Sequence, residues 1–484
     1  MMLAEKVFLV LFALLAGESE CNAEDSDMKL AREQNHFALK LLKELSSEEP
    51  ESNLFFSPTS ICVALAMVYA GARGKSEAEL STALGHTAAG LSSRESILAS
   101  YKKILAEQQI HEDIGLMIAN AVFVKKTLKV LESYQKELVD IFAAMFRSVD
   151  VGAENSAMES EVNEWVKNKT RGKISGFKIP ANTAMALLNA IYFKGLWNTS
   201  FDPKYTSPLP FYNKGSEEVK VETMTRHGWV PFTSDPDLKF EAIELSYKGD
   251  RHSMVIVLPS EKKELAKLRQ AMTVESIKTI HGSLKKRVVR IQLPKFDLKT
   301  EYSLLPALKK LGVTSIFSDA DLSGITVNGG LVVSEVLHKA AIEVNEEGTV
   351  ATGATAVPMP MSRPPSFAVN RPFLFYICEK ATGRVLFLGE VHELPAAKSQ
   401  SGQWHKSSPI DRVLKPLGYR LDRKLGDFKA RFREDRCPVN TGANPCSPTT
   451  GVLNYMHGRK FERLVYKPGT QEALAKRSRP GPGC

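Results

Sequence analysis

The residue types that usually carry enzymatic chemistry are present in this sequence, but not in a catalytic arrangement. There is no Gly-x-Ser-x-Gly turn around a nucleophilic serine, no His-Glu-x-x-His zinc motif, no phosphate-binding glycine loop and no Cys/His set with zinc spacing. The ten histidines are scattered, and Asp321-Leu322-Ser323-Gly324 has the composition of a polar turn. The sequence therefore predicts that the protein is not an enzyme and needs neither a metal nor an organic cofactor.

The segment that begins at Leu331 is better suited to backbone pairing than to catalysis. Apolar residues alternate with charged ones in its first part, which predicts a strand of about a dozen residues with one buried face. That length is about twice the usual value, so the strand should belong to a large sheet. Ser334 and His338 fall on the buried parity, and we expect them to bond to each other or to a neighbouring polar group.

The composition then changes to small side chains and, further on, to prolines. Residues Thr349 to Ala356 are all small or β-branched, and Val357 to Pro365 is a proline-dense stretch with the composition of an exposed loop. Long segments without a regular pattern are uncommon inside compact domains and usually have a function. The first part could become a strand in a crowded sheet, because the residues that would share one face are all small. Those residues are Thr349, Ala351, Gly353 and Thr355.

Helical and strand patterns are mixed irregularly in the rest of the chain. Leu30, Phe37 and Leu41 recur at three- and four-residue spacing and predict a first helix. Ser57-Pro58 suits the start of a second helix, and Ile61 to Ala72 is apolar on every side, which predicts a fully buried helix. Strand patterns occur at Leu116–Val124, Met185–Phe193, Met254–Leu258 and Phe373–Ile377. The absence of a regular βαβ order predicts the α+β class.

Composition and charge are those of an ordinary globular protein with an unusual C-terminal segment. Of the 484 residues, 43% are hydrophobic and 25% charged, and the formal net charge is +9. Residues 395–484 carry 18 Lys and Arg against 7 Asp and Glu, which leaves 46 basic and 48 acidic residues in the rest of the chain. The nearly neutral body argues against a nucleic-acid partner.

The two ends of the chain are predicted to be distinct from the body. An apolar run from Val7 to Gly17 follows Lys6 and precedes Cys21-Asn22-Ala23, which predicts a signal peptide over residues 1–23 and a secreted, extracellular protein. The run is too short to span a membrane. Residues 24–394 are predicted to form one domain. The extension 395–484 is predicted to be disordered, either a basic arm for anionic surfaces or a stretch without selected structure.

Six cysteines are too few for a disulfide-built scaffold. Cys62 and Cys378 lie in apolar runs and are predicted to be buried free thiols. Cys437 and Cys446 could close a small loop if oxidised.

Seven segments, taken together in their order and spacing, resemble the serpin superfamily from about Met28 to Leu394. They are Asn53–Ile61, Asn163–Val166 with Thr170–Ile174, Asn189–Trp197, Leu293–Phe296, His338–Ala340, Asn345–Thr349, and Asn370–Phe373 with Leu386–Val391. The leader and the loop composition are similar to those of secreted arthropod serpins, including tick ones. The resemblance implies a serpin fold of three β-sheets and about nine helices, with an exposed reactive-centre loop after Thr349.

The same resemblance implies how such a protein acts. A serine protease attacks the loop and forms an acyl-enzyme, and the cut loop then inserts into the large sheet before water can release the protease. The partner would be an extracellular serine protease in a covalent complex, and the inhibitor a monomer. The alternative is a non-inhibitory serpin that acts as a carrier, a storage protein or a chaperone. Such members tend to have bulky or charged hinge residues, which Thr349 to Ala356 lacks.

Two residue sets follow from the family pattern. The hinge consists of Glu346, Glu347, Gly348, Thr349, Val350, Ala351, Thr352, Gly353, Ala354 and Thr355. The region where the sheet opens contains Ser57, Ser60, Asn189, Trp197, Lys295 and His338. Glu346 resembles the position that pairs with a lysine on the neighbouring strand, here Lys295. Val350 stands where the family more often has Glu, but its parity is opposite to that of Thr349 and it would face outward.

The scissile bond is predicted from two spacings that differ by one residue. Counting forward from Glu346 puts Ser362 on the acyl side, whereas counting back from Asn370-Arg371-Pro372-Phe373 puts Met361 there. We prefer Met361–Ser362, because methionine fits the apolar specificity pocket of elastase- or chymotrypsin-like proteases. Arg363 would suit a trypsin-like enzyme, but Pro364 follows it and serine proteases seldom cleave before proline.

Two weaker signals concern the surface. Basic residues at Lys285, Lys286, Arg287 and Arg290 form either a glycosaminoglycan site or an ordinary solvated basic face. Asn168-Lys169-Thr170 and Asn198-Thr199-Ser200 are N-glycosylation sequons that a secreted protein could use.

Overall fold

The computed structural model of the chain describes residues 26–109, 115–149, 156–180, 183–327, 329–348 and 364–397, together with the backbone of five short strands further on. Contacts divide the chain into two compact units, Met1–Ala397 and Lys398–Cys484. Within the described residues, no helix is both long enough and apolar enough to cross a membrane.

The helices of the described part are α1 (26–48), α2 (Pro58–Gly71), α3 (Gly74–Ala83), α4 (Arg94–Gln109), α5 (Glu132–Asp140), α6 (Ser156–Lys169), α7 (Leu265–Ala271), α8 (Val274–Ser283) and α9 (Leu305–Lys310). Both helices predicted from the sequence, the first around Leu30–Leu41 and the second from Ser57-Pro58, are present as α1 and α2. Ser57 is the N-cap of α2 and accepts a hydrogen bond from the backbone of Ser60, while Pro58 takes the first helical position, where its missing N–H costs nothing. Every residue of α2 is buried, as its uniformly apolar sequence predicts.

The strands of the first unit form two hydrogen-bonded sheets. They are β1 (Leu54–Phe56), β2 (Leu116–Lys125), β3 (Met145–Val149), β4 (Met185–Phe193), β5 (Thr206–Asn213), β6 (Glu217–Asp235), β7 (Phe240–Ser246), β8 (His252–Pro259), β9 (Lys285–Pro294), β10 (Phe296–Ser303), β11 (Glu335–Val344), β12 (Ser366–Ala368), β13 (Phe373–Glu379) and β14 (Val385–Val391). One sheet has the order β10-β11-β4-β2-β3. The other has the order β1-β14-β13-β8-β7-β6-β9-β12, with β5 also paired to β6.

The α+β class is confirmed. The 19-residue strand β6 pairs with β5 and β9 along part of its length and with β7 at its far end. The serpin resemblance implies three sheets. Because β6 runs on from one group of strands to the next, two of those three sheets form one continuous nine-stranded ladder here.

The first unit is built in layers around three apolar clusters. One cluster lies beneath α2 and its neighbouring helices, and a second lies between the two sheets, where Phe193 and Ile342 face Phe375 and Ile256. The third fills the space between the outer face of the five-stranded sheet and α6 with the segment that follows it. The expectation that β11 has one buried face is therefore wrong, because α6 and residues 170–180 cover its other face as well.

Cys62 and Cys378 are buried free thiols, as predicted. Burial raises the pKa of both thiols to about 12, so they are not reactive as thiolates.

In the second unit the structure describes strands β15 (Tyr419–Asp422), β16 (Lys429–Phe432), β17 (Val452–His457), β18 (Lys460–Val465) and β19 (Glu472–Lys476), joined in an antiparallel sheet. The leader, the domain boundaries and the disorder of the extension stay predictions.

Candidate functional site

The candidate site is the segment between β11 and β12 together with the sheet position next to β11. β11 belongs to the five-stranded sheet and β12 to the nine-stranded one, so the chain passes from one sheet to the other between them. The predicted scissile residues Met361, Ser362 and Arg363 lie outside the described residues, as do the hinge positions Thr349 to Thr355. The anchors of the segment on both sides are described.

The neighbour of β11 on the inner side of the sheet is β4, and the two strands run parallel. Eight registered pairs join them, from Glu335 opposite Ala186 to Ile342 opposite Phe193. β10 and β2, on the outer sides of this pair, are antiparallel to β11 and β4. We refer to the β4–β11 boundary as the seam.

A row of polar side chains crosses the middle of the seam beneath α2. His338 of β11 lies opposite Asn189 of β4, which in turn lies opposite Asn120 of β2. The ring nitrogen Nδ1 of His338 lies 2.6 Å from the Asn189 Oδ1 atom, and the Asn189 side-chain amide donates to Asn120 at 2.6 Å and to the Ser60 hydroxyl. The row thus ties three strands to the first turn of α2.

The hydrogen bonds determine the state of His338. The backbone N–H of Ser57 donates to Nε2 of His338 at 3.1 Å, so the ring proton belongs on Nδ1, from which it is donated to Asn189. His338 is fully buried, and this burial lowers its pKa to about 3. The Ser57 hydroxyl donates to the backbone of Leu386 in β14, which connects the row to the second sheet.

The top of the seam is closed by Trp197, which follows β4. Its indole N–H donates to the Asn345 carbonyl at 2.8 Å, and its backbone N–H donates to the Glu347 carbonyl at 3.1 Å. Gly348 approaches the Trp197 backbone so closely that a Cβ there would lie 2.5 Å from the Trp197 carbonyl oxygen. Glycine is therefore required at the position where the chain leaves the sheet.

Glu346 makes the charged contact at this end. Its carboxylate lies 2.9 Å from the Lys295 ammonium group and accepts a hydrogen bond from the Thr206 hydroxyl at 2.8 Å. The predicted Lys295–Glu346 pair is present. Burial opposes ionisation of Glu346, but the hydrogen bonds from Lys295 and Thr206 hold its pKa below the usual value.

The outer face of the seam is covered by the segment after α6. Lys339 of β11 donates to the backbone carbonyls of Gly176 at 2.9 Å and Ser175 at 3.2 Å, and its ammonium group lies 4.7 Å from the Phe177 ring centre. Nearer the top, Lys173 forms an ion pair with Glu343. A strand that entered the seam would have to disturb this cover.

The comparisons with known proteins agree on one family. The family model described as Serpin (serine protease inhibitor) matches residues 32–394. The chain is 40% identical to Iripin-2 of Ixodes ricinus over 382 residues, 77% of this chain and 96% of that protein. It is 34% identical to intracellular coagulation inhibitor 2 of Tachypleus tridentatus, with 77% of this chain and 93% of that protein covered. The chain belongs to the serpin family.

A solved structure supports the same assignment. The crystal structure of mouse protein-Z dependent protease inhibitor superposes with a TM-score of 0.72 at 28% identity, covering 77% of this chain and 99% of that one. As a serpin, the protein belongs to a family of serine protease inhibitors.

We predict that acid destabilises this serpin through its buried histidines. Burial lowers the pKa of His338 to about 3 and that of His86 to about 4, against an ordinary 6.5. Between these values the unfolded chain binds more protons than the folded one, so stability falls as the pH drops below about 6.5. Each such histidine contributes a slope of about 1.4 kcal/mol per pH unit.

The measurement is the urea midpoint at fixed incubation time from pH 7.5 to 5, above the range in which most carboxylates titrate. His338→Gln and His86→Gln should each reduce the number of protons taken up on unfolding by up to one. The slope of stability against pH should therefore be smaller in each variant than in the wild type. Curves parallel to the wild type for both variants would contradict the assignment.

A charge reversal at Glu346 should open the top of the seam. Glu346→Lys removes the bonds to Lys295 and Thr206 and places two ammonium groups side by side. Because Glu346 is only 13% exposed, we expect the free energy of unfolding to fall by about 1–3 kcal/mol. We also expect the variant to self-associate faster than the wild type on warming.

Glu347→Lys is the matched control for this prediction. Its side chain is 56% exposed and pairs with Lys194 at 2.8 Å, so the change should cost no more than ~1 kcal/mol. Equal losses of melting temperature in the two variants would show that burial of the Glu346 pair is unimportant.

The structure places the other predicted residues as follows. The sequon residues Asn168 and Asn198 are exposed. The four basic residues of β9 do not share a face, because Lys286 and Arg290 have one parity and Lys285 and Arg287 the other. Glycosylation and glycosaminoglycan binding stay predictions.

Several contributing residues were not identified from the sequence. Asn120 completes the polar row, and an Asn in the middle of the apolar run Leu116–Val124 was a usable signal for it. The contacts of Thr206, Lys173 and Lys194 had no local signal, because each residue meets its partner through folding across more than 100 residues of chain.

Proposed function

We propose that this serpin is a secreted inhibitor of serine proteases that acts as a suicide substrate. The catalytic serine of the protease attacks the carbonyl carbon of Met361, the Met361–Ser362 bond breaks, and the new amine of Ser362 leaves with a proton. An ester then joins the protease to Met361. Insertion of the segment after Gly348 into the seam would carry the protease away before hydrolysis of that ester.

The observation that carries the proposal is the parallel pairing of β4 and β11. The chain leaves β11 at Val344, at the end of the sheet where Trp197 closes the seam. A segment that folds back from this end runs antiparallel to both β11 and β4. Insertion therefore replaces one parallel ladder with two antiparallel ladders, which are slightly more stable per residue.

The composition of the segment supports the same event. Thr349, Ala351, Gly353 and Thr355 are small enough to enter a layer whose two faces are already packed. A non-inhibitory serpin would not need small residues in the hinge, because its loop does not have to enter the sheet. The relatives of this chain include proteins named as a coagulation inhibitor and a protease inhibitor.

The target class follows from the residue on the acyl side. Methionine at position 361 suits an apolar specificity pocket, so the proposed targets are elastase- and chymotrypsin-like proteases. Export from the cell rests on the predicted leader over residues 1–23.

The test mixes the protein with a panel of elastase-, chymotrypsin- and trypsin-like proteases and examines the products on SDS gels. The expected result is an SDS-resistant adduct with an elastase- or chymotrypsin-like enzyme and a released peptide that begins at Ser362. A peptide that begins at Pro364 would move the site to Arg363. Cleavage without any adduct, with every protease fully active and no gain of thermal stability in the cleaved protein, would overturn inhibition in favour of a non-inhibitory serpin.

A further inference from the structure

The solvent face of β6 and β9 next to the reactive-centre loop carries an exposed tryptophan. Trp229 of β6 is 59% exposed, whereas its neighbours Gly228 and Val230 are buried. It lies opposite Val288 of β9 in the antiparallel ladder. A large aromatic side chain left in water on a rigid strand is a common anchor of protein–protein interfaces.

The ionisable residues around Trp229 on the same face are basic. His227 lies opposite Arg290, and Pro231 lies opposite Lys286. The two stretches that form this face, residues 225–231 and 286–292, contain no Asp or Glu. We call His227, Trp229, Lys286 and Arg290 the Trp229 patch.

The patch adjoins the C-terminal anchor of the loop. The backbone N–H of Arg290 donates to the Pro365 carbonyl at 2.9 Å, and Ser366 of β12 lies opposite Arg290. With strands about 4.8 Å apart and about 3.4 Å per residue, Trp229 lies about 12 Å from Ser366. The proposed scissile bond precedes Ser366 by four residues, at most ~14 Å of extended chain.

A protease bound to the loop is large enough to reach the patch. An interface of standard size buries about 800 Å² on each partner, which corresponds to a footprint roughly 30 Å across. The patch and the scissile bond both fit within that footprint.

We propose that the Trp229 patch is a second contact surface for the protease that attacks the reactive-centre loop, and that it selects proteases with an acidic surface beside the active-site cleft. This inference rests on the proposed function for the identity of its partner. Trp229 would be buried against the protease, and Lys286 and Arg290 would attract the acidic surface and speed the encounter.

The chemistry of the patch favours a protein over a sulfated polysaccharide. Strand alternation divides the basic residues of β9 between two faces, which leaves only Lys286 and Arg290 beside Trp229. A polysaccharide site would depend on the number of charges and gain little from Trp229. A protein interface gains most from its buried aromatic residue, with charges at the rim that govern the association rate.

The experiment compares second-order rate constants of loop attack for two proteases of the same primary specificity and opposite net charge. The variants are Trp229→Ala and the double variant Lys286→Glu/Arg290→Glu. The matched controls are Val139→Ala and Lys136→Glu on α5, because Val139 is 60% exposed and Lys136 is also exposed. Melting temperatures verify folding, and the stoichiometry of inhibition reports insertion separately from encounter.

With the acidic protease, Trp229→Ala should slow attack about 5–20-fold and the double variant at least 10-fold, with a weaker salt dependence. The basic protease should be affected less than 2-fold, and the stoichiometry should not change. Rate constants within 2-fold of the wild type for both patch variants would overturn the inference. So would a loss seen only for the double variant and only with added heparin, which would identify a polysaccharide site.

The rate constants also separate this inference from the proposed function. If the protein is cleaved without forming adducts, inhibition fails, but a slower cleavage of Trp229→Ala still supports the patch. If adducts form at wild-type rates in both patch variants, inhibition stands and the patch fails. If no protease cleaves the loop, both are overturned.

Discussion

Thr349→Arg should convert this serpin from an inhibitor into a substrate. Thr349 is the first residue of the segment proposed to enter the seam, on the parity that would face the packed layer. Placing a guanidinium there would require burial of an unpaired charge, which costs several kcal/mol. Since each 1.4 kcal/mol in a barrier is a tenfold change in rate, insertion should slow by 100-fold or more. Hydrolysis of the acyl-enzyme would then be faster than insertion, and the protease would be released.

The measurement for Thr349→Arg is the stoichiometry of inhibition together with the yield of SDS-resistant adduct. We expect the adduct to vanish and the stoichiometry to rise more than tenfold, while the loop is still cleaved at the same bond. Val350→Arg is the matched control, because the same side chain on the opposite parity would face the outer cover near the top of the seam, where Lys173 and Glu343 keep 39% and 23% of their side chains exposed. It should therefore leave most of the adduct. Equal losses in the two variants would contradict insertion of the segment as a strand in this register.

His338→Leu should produce the largest loss of stability of any single change in the seam. The substitution leaves the Ser57 backbone N–H and the Asn189 side-chain carbonyl without the partner that they have in the wild type. Each unsatisfied buried group costs about 1–3 kcal/mol, so the total should be about 3–5 kcal/mol. For a domain of this size that corresponds to a fall in melting temperature of about 5 °C.

Ser334→Ala is the control for this prediction. Ser334 lies on the same parity of the chain, but its hydroxyl accepts one bond, at 2.9 Å from the backbone of Ala184, and its loss should cost about 1 kcal/mol. Differential scanning calorimetry would compare the two variants. A melting temperature of His338→Leu no lower than that of Ser334→Ala would show that the polar row does not hold the seam.

The sequence alone was sufficient to predict the positions of several helices and strands and to predict the family. The strand pattern at Met185–Phe193 coincides with β4, and the Ser57-Pro58 signal marks the start of α2. These signals are local, because a cap or a period-two alternation acts within a few residues. The alternation pattern also predicted that His338 lies on a buried face of its strand. Its partners were not, since Ser57 and Asn189 are distant along the chain.

Three features were decided by tertiary structure alone. The outer face of β11 looked solvated because Glu335, Lys339 and Glu343 alternate along it, yet α6 and the segment after it cover that face and the Lys339 ammonium group bonds to their backbone carbonyls. The union of two expected sheets depends on the continuous course of β6. The Trp229 patch exists because β9 brings Lys286 and Arg290 beside β6. In each case the sequence determined what a residue could do, and the packing of distant segments determined which partner it met, because burial and pairing are properties of surfaces brought together from far apart in the chain.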